Sequence, residues 1–235
     1  MNLQALPNMP VELLRLPAFT FTWGNCYRNI CPHQAYRRFI LKDIPFVETD
    51  AMKEGTAVHT ALEKRVGQGK VLPDEYRQWE SFAACFDQLP VKVECKLGVT
   101  AEGRSCDWYD KKIFVRTKLD ISFVNGETGY ILDWKMGAVR ENPFELEVQA
   151  VALHAANPQL RKIVGQYAWL RENRLGQMHD LSQTNRTWAT ICETVLDAQH
   201  DLDRGMFDKR PGKLCDWCDV KDCENYTGKN AKAPE

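Results

Sequence analysis

Residues Lys112 to Lys135 read KIFVRTKLDISFVNGETGYILDWK, and the fold turns on this stretch. Lys112 to Val124 is rich in β-branched and aromatic residues, Asn125-Gly126 is a strong hairpin signal, and Tyr130 to Trp134 continues the same chemistry, so two antiparallel strands are predicted. Asp120 lies inside the first strand and Asp133 inside the second, where a short hairpin lets their carboxylates converge. Lys135 follows two residues later, on the same face as Asp133 by period-two alternation. The aspartates interrupt the apolar triplet Leu119-Asp120-Ile121 and the run Ile131-Leu132-Asp133-Trp134, where an unpaired charge would cost several kcal/mol. A bound cation removes that cost. Two carboxylates for a hard divalent metal, with an ammonium for a phosphate or a water, suit phosphodiester hydrolysis with water as nucleophile.

Outward from this centre, Val91 to Val99 (VKVECKLGV) alternates and adds a third strand, making an antiparallel meander. Before it, Ala51 to Val66 carries apolar residues at helical spacing until Gly67, Gly69 and Pro73 stop the pattern. Asp74 to Gln88 reads as a second helix with Tyr76, Trp79, Phe82, Ala83 and Phe86 on its core face. After it, Pro143 opens a helix that Asn157-Pro158 ends, Lys162 to Leu170 reads as a strand, and Thr184 to Arg204 as a helix with Trp188, Ile191, Val195, Leu196 and Leu202 as its buried stripe. Gly205 and Pro211-Gly212 then separate a short cysteine-bearing tail.

The chain has 235 residues, 44% of them hydrophobic, enough for one substantial core. Its 31 Lys and Arg nearly cancel 32 Asp and Glu, so a polyanionic partner must be met by a local basic patch. Arg37, Arg38, Lys135 and Arg140 are the candidates for one. No run approaches a membrane span and no signal segment is visible at the start, from which a cytoplasmic protein with no membrane partner is expected, in the host cytoplasm if the source is viral. The odd count of nine cysteines argues for metal ligands or buried thiols over a disulfide framework. Cys215, Cys218 and Cys223 are spaced C-x2-C-x4-C, which lets three thiolates converge on one metal or cluster and leaves a fourth position to fill.

These residues resemble the RecB-type branch of the PD-(D/E)XK nucleases, which includes the iron-sulfur exonucleases of CRISPR adaptation and similar phage proteins. Gly55-Thr56-Ala57-Val58-His59-Thr60-Ala61-Leu62-Glu63 is similar to the family's first helix, Leu119-Asp120-Ile121 to its first acidic motif, Asp133-Trp134-Lys135-Met136-Gly137 to its second, and Gln149 to the glutamine of the helix that follows. Thr117 and Leu153 stand where the family usually has glycine and tyrosine. The resemblance implies an α/β restriction-endonuclease-like core, a central mixed sheet flanked by helices, in a single nuclease domain spanning 1-235 with its core at about 51-205. It implies His59, Asp120, Asp133 and the Trp134 carbonyl as ligands of magnesium or manganese. Lys135 is implied as base or phosphate clamp, and Gln149 lies near the scissile strand. Glu94 is either a water-mediated support for this site or a solvated strand residue.

The resemblance also implies a C-terminal cluster module, formed by 20-40 and 206-230, in which Cys31 of Cys31-Pro32 joins Cys215, Cys218 and Cys223 around a four-iron four-sulfur (4Fe-4S) cluster. Cys26 is the competing fourth ligand and zinc the competing occupant. The implied function is cleavage of DNA that is single-stranded or exposes an end, with protein partners in recombination or CRISPR-type adaptation. Two alternatives are a non-catalytic DNA-binding subunit of such a complex and a zinc-stapled structural protein.

Overall fold

The computed structural model describes residues 15–228. They form two compact units: Glu48–Trp188, and a second made of residues 15–47 together with 189–228. No helix among the described residues is long and apolar enough to cross a membrane.

In the second unit, α1 (Phe21–Asn25) begins at Thr20, whose hydroxyl accepts the Trp23 N–H. Phe19 is fully buried against Gly24 and lies 5.4 Å from the Trp23 ring; a Cβ at Gly24 would come within 2.2 Å of the Phe19 ring. The turn Cys26–Ile30 is widened by one residue, so the Cys31 N–H reaches back to the Cys26 carbonyl, and Pro32 then starts α2 (Pro32–Ala35) with its fixed φ.

In the first unit, α3 (Asp50–Gln68) opens under the Thr49 hydroxyl, which accepts the Met52 N–H, and closes at Gly69 in the left-handed region. The expected helix over 74–88 is replaced by tighter 3-10 turns at Asp74–Trp79 followed by α4 (Glu80–Ala84). The Trp79 indole N–H donates to the Leu170 carbonyl at 2.8 Å, an anchor that holds the segment to the sheet. The strands are β1 (Lys92–Thr100), β2 (Ser105–Cys106), β3 (Ile113–Asn125) and β4 (Thr128–Lys135). After α5 (Phe144–Ala156) come β5 (Lys162–Trp169), β6 (Arg174–Leu175) and β7 (His179–Asp180), and then α6 (Thr184–Arg204), which begins in the first unit and ends in the second.

They build a seven-stranded mixed sheet in the order β2-β1-β3-β4-β5-β6, with β7 also on β5. The β3–β4 hairpin falls where Asn-Gly put it, but it closes at the Asn125–Thr128 pair, so the two-residue loop is Gly126-Glu127 with Gly126 at φ +58, the pattern with Gly in the first loop position. Only β4 and β5 are parallel, because α5 carries the chain back across the sheet. One face is covered by α3, the 3-10 turns and α4 around Val58, Leu62, Trp79, Ile121, Leu132 and Trp134. The other is covered by α5 around Leu119, Ile131, Leu146 and Ala150. In α6 the buried stripe runs Trp188, Ile191, Cys192, Val195, Ala198. Leu196, expected inside, is half exposed, since it sits well off the line that the 3.6-residue repeat draws from Trp188.

Candidate active site

The β3–β4 ladder ends at the pair Ile121 and Leu132. Beyond it the strands part, and the Trp134 N–H donates to Asp120 Oδ2 at 2.9 Å, a side chain taking the place of a backbone acceptor. Asp120 and Asp133 are both buried, at 7% and 3% exposure. His59, delivered by the middle of α3, puts Nδ1 3.4 Å from Asp120 Oδ2. Gln149 Nε2 donates to Asp133 Oδ1 at 2.8 Å, and Lys135 Nζ lies 2.6 Å from Asp133 Oδ2. Five predicted residues, His59, Asp120, Asp133, Lys135 and Gln149, thus meet at one place. The Trp134 indole packs in the core, edge-on to Phe86.

Two residues that the sequence did not single out belong here, together with Glu94, which it offered as a water-mediated support or a solvated residue. Glu145, in the first turn of α5, lies 2.8 Å from Lys135 Nζ, and the Tyr167 ring centre is 5.5 Å from the same nitrogen. Glu145 stands four residues before Gln149, one helical turn, which is the signal that could have found it. Tyr167 left no such signal. The third is Glu94 on β1, flanked by the pairs Val93–Ile121 and Cys95–Leu119 and therefore opposite Asp120. Its φ is +50, a left-handed backbone inside a strand that costs a non-glycine residue about 1–2 kcal/mol. The sheet creases there. Val93 and Ile121 pack toward α3, whereas Cys95 and Leu119, two residues on in each strand, pack toward α5. Among the described residues, His59, Glu94 and Asp120 are the one group of three ligand-type side chains whose donor atoms lie within 4.8 Å of one another.

The electrostatics follow from burial and pairing. Burial pulls the His59 pKa down, but the hydrogen bond and charge of Asp120 more than offset it and leave the imidazole above its ordinary value. Burial pushes Asp120 up; His59, the Trp134 N–H and Lys135 outweigh it and keep this carboxyl below the usual range. Asp133 is pushed up to about 7 by complete burial, with Asp120 and Glu145 adding to the rise and Lys135 opposing it. Burial lowers the Lys135 pKa, and Asp133 and Glu145 more than restore it, so the ammonium stays charged. An oxygen-rich donor set with one imidazole fits a hard divalent cation, and the buried Gln149 Oε1, with no hydrogen-bond partner among the described residues, fits a metal-bound water or a substrate donor.

In the second unit, Cys31, Cys215, Cys218 and Cys223 line one pocket with His33, Leu214 and Tyr226. Cys26 is buried apart from the lining, its thiol donating to Gln34 Oε1 at 3.7 Å, and burial pushes its pKa up to about 12. Arg37 and Arg38, expected on a basic path, are already paired, Arg37 with Asp43 and Asp222 and Arg38 with Asp219. They brace the tail instead.

No family model and no curated protein sequence matches the chain. A solved structure of a candidate exonuclease from Eubacterium rectale aligns over 93% of this chain and 92% of its own, at 11% identity and a TM-score of 0.52. The two chains share a fold. The protein SSO0001, also 11% identical, covers 94% of this chain and 90% of its own at a TM-score of 0.45, too distant to carry an argument.

Proposed function

We propose that this chain is a metal-dependent nuclease of the PD-(D/E)XK kind, RecB-type branch, which hydrolyses phosphodiester bonds in DNA. The observation that carries the reading is the meeting of Asp120, Asp133 and Lys135 at the point where β3 and β4 part, with His59 and Glu94 beside them. A fold shared with a candidate exonuclease supports it. His59, Glu94, Asp120, Asp133 and the Trp134 carbonyl are the groups that would hold magnesium or manganese. The ion would supply an acidified water and neutralise charge on the phosphate.

The chain's own residues do the rest. Asp120 holds His59 and the Trp134 backbone in place, so one carboxylate fixes two elements. Gln149 orients Asp133 and leaves Oε1 to accept a hydrogen bond from a water at the phosphorus. Lys135, kept charged between Asp133 and Glu145, acts as a clamp on a phosphate oxygen and not as the base.

The cysteine quartet is read as a 4Fe-4S site in which Cys31, not Cys26, is the fourth ligand. Support comes from the shared pocket lining, which includes Cys31 and leaves out Cys26. The test is end-labelled linear DNA, single- and double-stranded, with and without manganese, beside a closed single-stranded circle of the same sequence. Metal-dependent loss of the linear strand with the circle spared supports an exonuclease, and equal loss of both makes it an endonuclease.

A further inference from the structure

Beyond the crease at Glu94 and Asp120, the same two strands carry a basic and aromatic stripe. Lys96 stands opposite Lys118 and Gly98 opposite Arg116 in the β1–β3 register. Lys118 pairs with Glu94 at the site itself. Arg116 and Lys96 have no carboxylate partner among the described residues; their charges lie 5.0 and 5.8 Å from the centre of the Trp108 ring. Arg116 Nε is buried with no hydrogen-bond partner. Many of the other arginines, among them Arg37, Arg65, Arg77, Arg161 and Arg171, are neutralised by a carboxylate. Next to Trp108, the Tyr109 ring is 79% exposed. Gly98 lets this turn lie against β1: a Cβ there would meet the Asp107 carbonyl and Cys106 Sγ at 3.0 Å.

We propose that this face of β1 and β3 is the track on which a single polynucleotide strand lies as it reaches the metal site, an inference that rests on the nuclease reading. Lys96 and Arg116 meet its phosphates, Trp108 holds both cations in place, and Tyr109 stacks on a base. From Asp120 to Arg116 the stripe runs about 13 Å, room for a few nucleotides of extended strand. A single strand is favoured over a duplex because an exposed ring gives stacking energy only to an unpaired base, and because the stripe is one strand pair wide.

The test is binding of a fluorescent oligothymidylate to the Asp133→Asn protein in EDTA, by anisotropy across a salt series, alongside manganese-dependent cleavage by the unaltered chain. Lys96 and Tyr109 are exposed, so K96Q/Y109A should fold normally and lose about tenfold in affinity. R116Q should flatten the salt dependence by about 0.7 in log–log slope, and Y109F should bind as the parent does. No binding by the parent, a parent that prefers duplex, or a K96Q/Y109A protein within twofold of the parent overturns the track. If the variants cleave and bind normally, the track alone fails; if binding falls in the variants while the unaltered chain never cleaves, the nuclease reading fails and the strand-binding face stands.

Discussion

Asp120 Oδ2 accepts the Trp134 N–H across the gap where β3 leaves β4, so a carboxylate replaces the next rung of a backbone ladder. The same oxygen faces His59. In metal-free protein, Asp120→Asn therefore leaves burial to dominate the imidazole, and the His59 pKa should drop below its ordinary 6.5. Histidine NMR titration reads this directly; an unmoved His59 resonance would show that the pair does not form.

Asp133 carries the complementary prediction. A carboxyl whose folded pKa is raised from 3.8 to about 7 contributes stability below pH 4 that is lost as pH rises through 7. Asp133→Asn removes this dependence, so in EDTA its melting temperature should exceed that of the parent by about 2 °C or more at pH 8 and approach it at pH 5. A variant less stable than its parent at pH 8 would mean that Asp133 is satisfied without a metal.

The left-handed backbone of Glu94 yields a stability difference. Glu94→Gly relieves a strained φ that Glu94→Ala keeps, so the glycine variant should be the more stable by about 1 kcal/mol in urea. Both should lose manganese affinity alike by calorimetry. Unchanged affinity would remove Glu94 from the ligand set.

Much of this was legible in the chain. Asn125-Gly126 placed the hairpin, and the run ILDWK placed Asp133 and Lys135 on one face, because local alternation and turn chemistry are written in neighbouring residues. Glu94 was legible only as one of two readings, a water-mediated support or a solvated strand residue, since what decides between them lies in the register that sets it opposite Asp120, 26 positions away, and in a backbone angle no composition reveals. The 3-10 winding at Asp74–Trp79 was hidden for the same reason: it answers to the carbonyl of Leu170. Arg38 misled as a free cation because its partner, Asp219, lies at the far end of the chain, as does Asp222, the second partner of Arg37 beside the nearby Asp43.

For the cysteines, Cys31→Ser and Cys218→Ser should each remove iron and acid-labile sulfide from anaerobically purified protein, whereas Cys26→Ser, which alters a buried thiol bound to Gln34, should keep both. Zinc at one per chain without iron would replace the cluster.

The central claim is that Lys135 and the two aspartates perform metal-dependent phosphodiester cleavage. Its most direct test is a time course on end-labelled linear single-stranded DNA, with manganese and with EDTA, for the unaltered chain and for Lys135→Ala. The account predicts products only with manganese and a loss of about a thousandfold or more in Lys135→Ala, the size expected when a group that stabilises developing charge is removed. Equal cleavage by both proteins, or none by the unaltered chain at any manganese concentration, would contradict it.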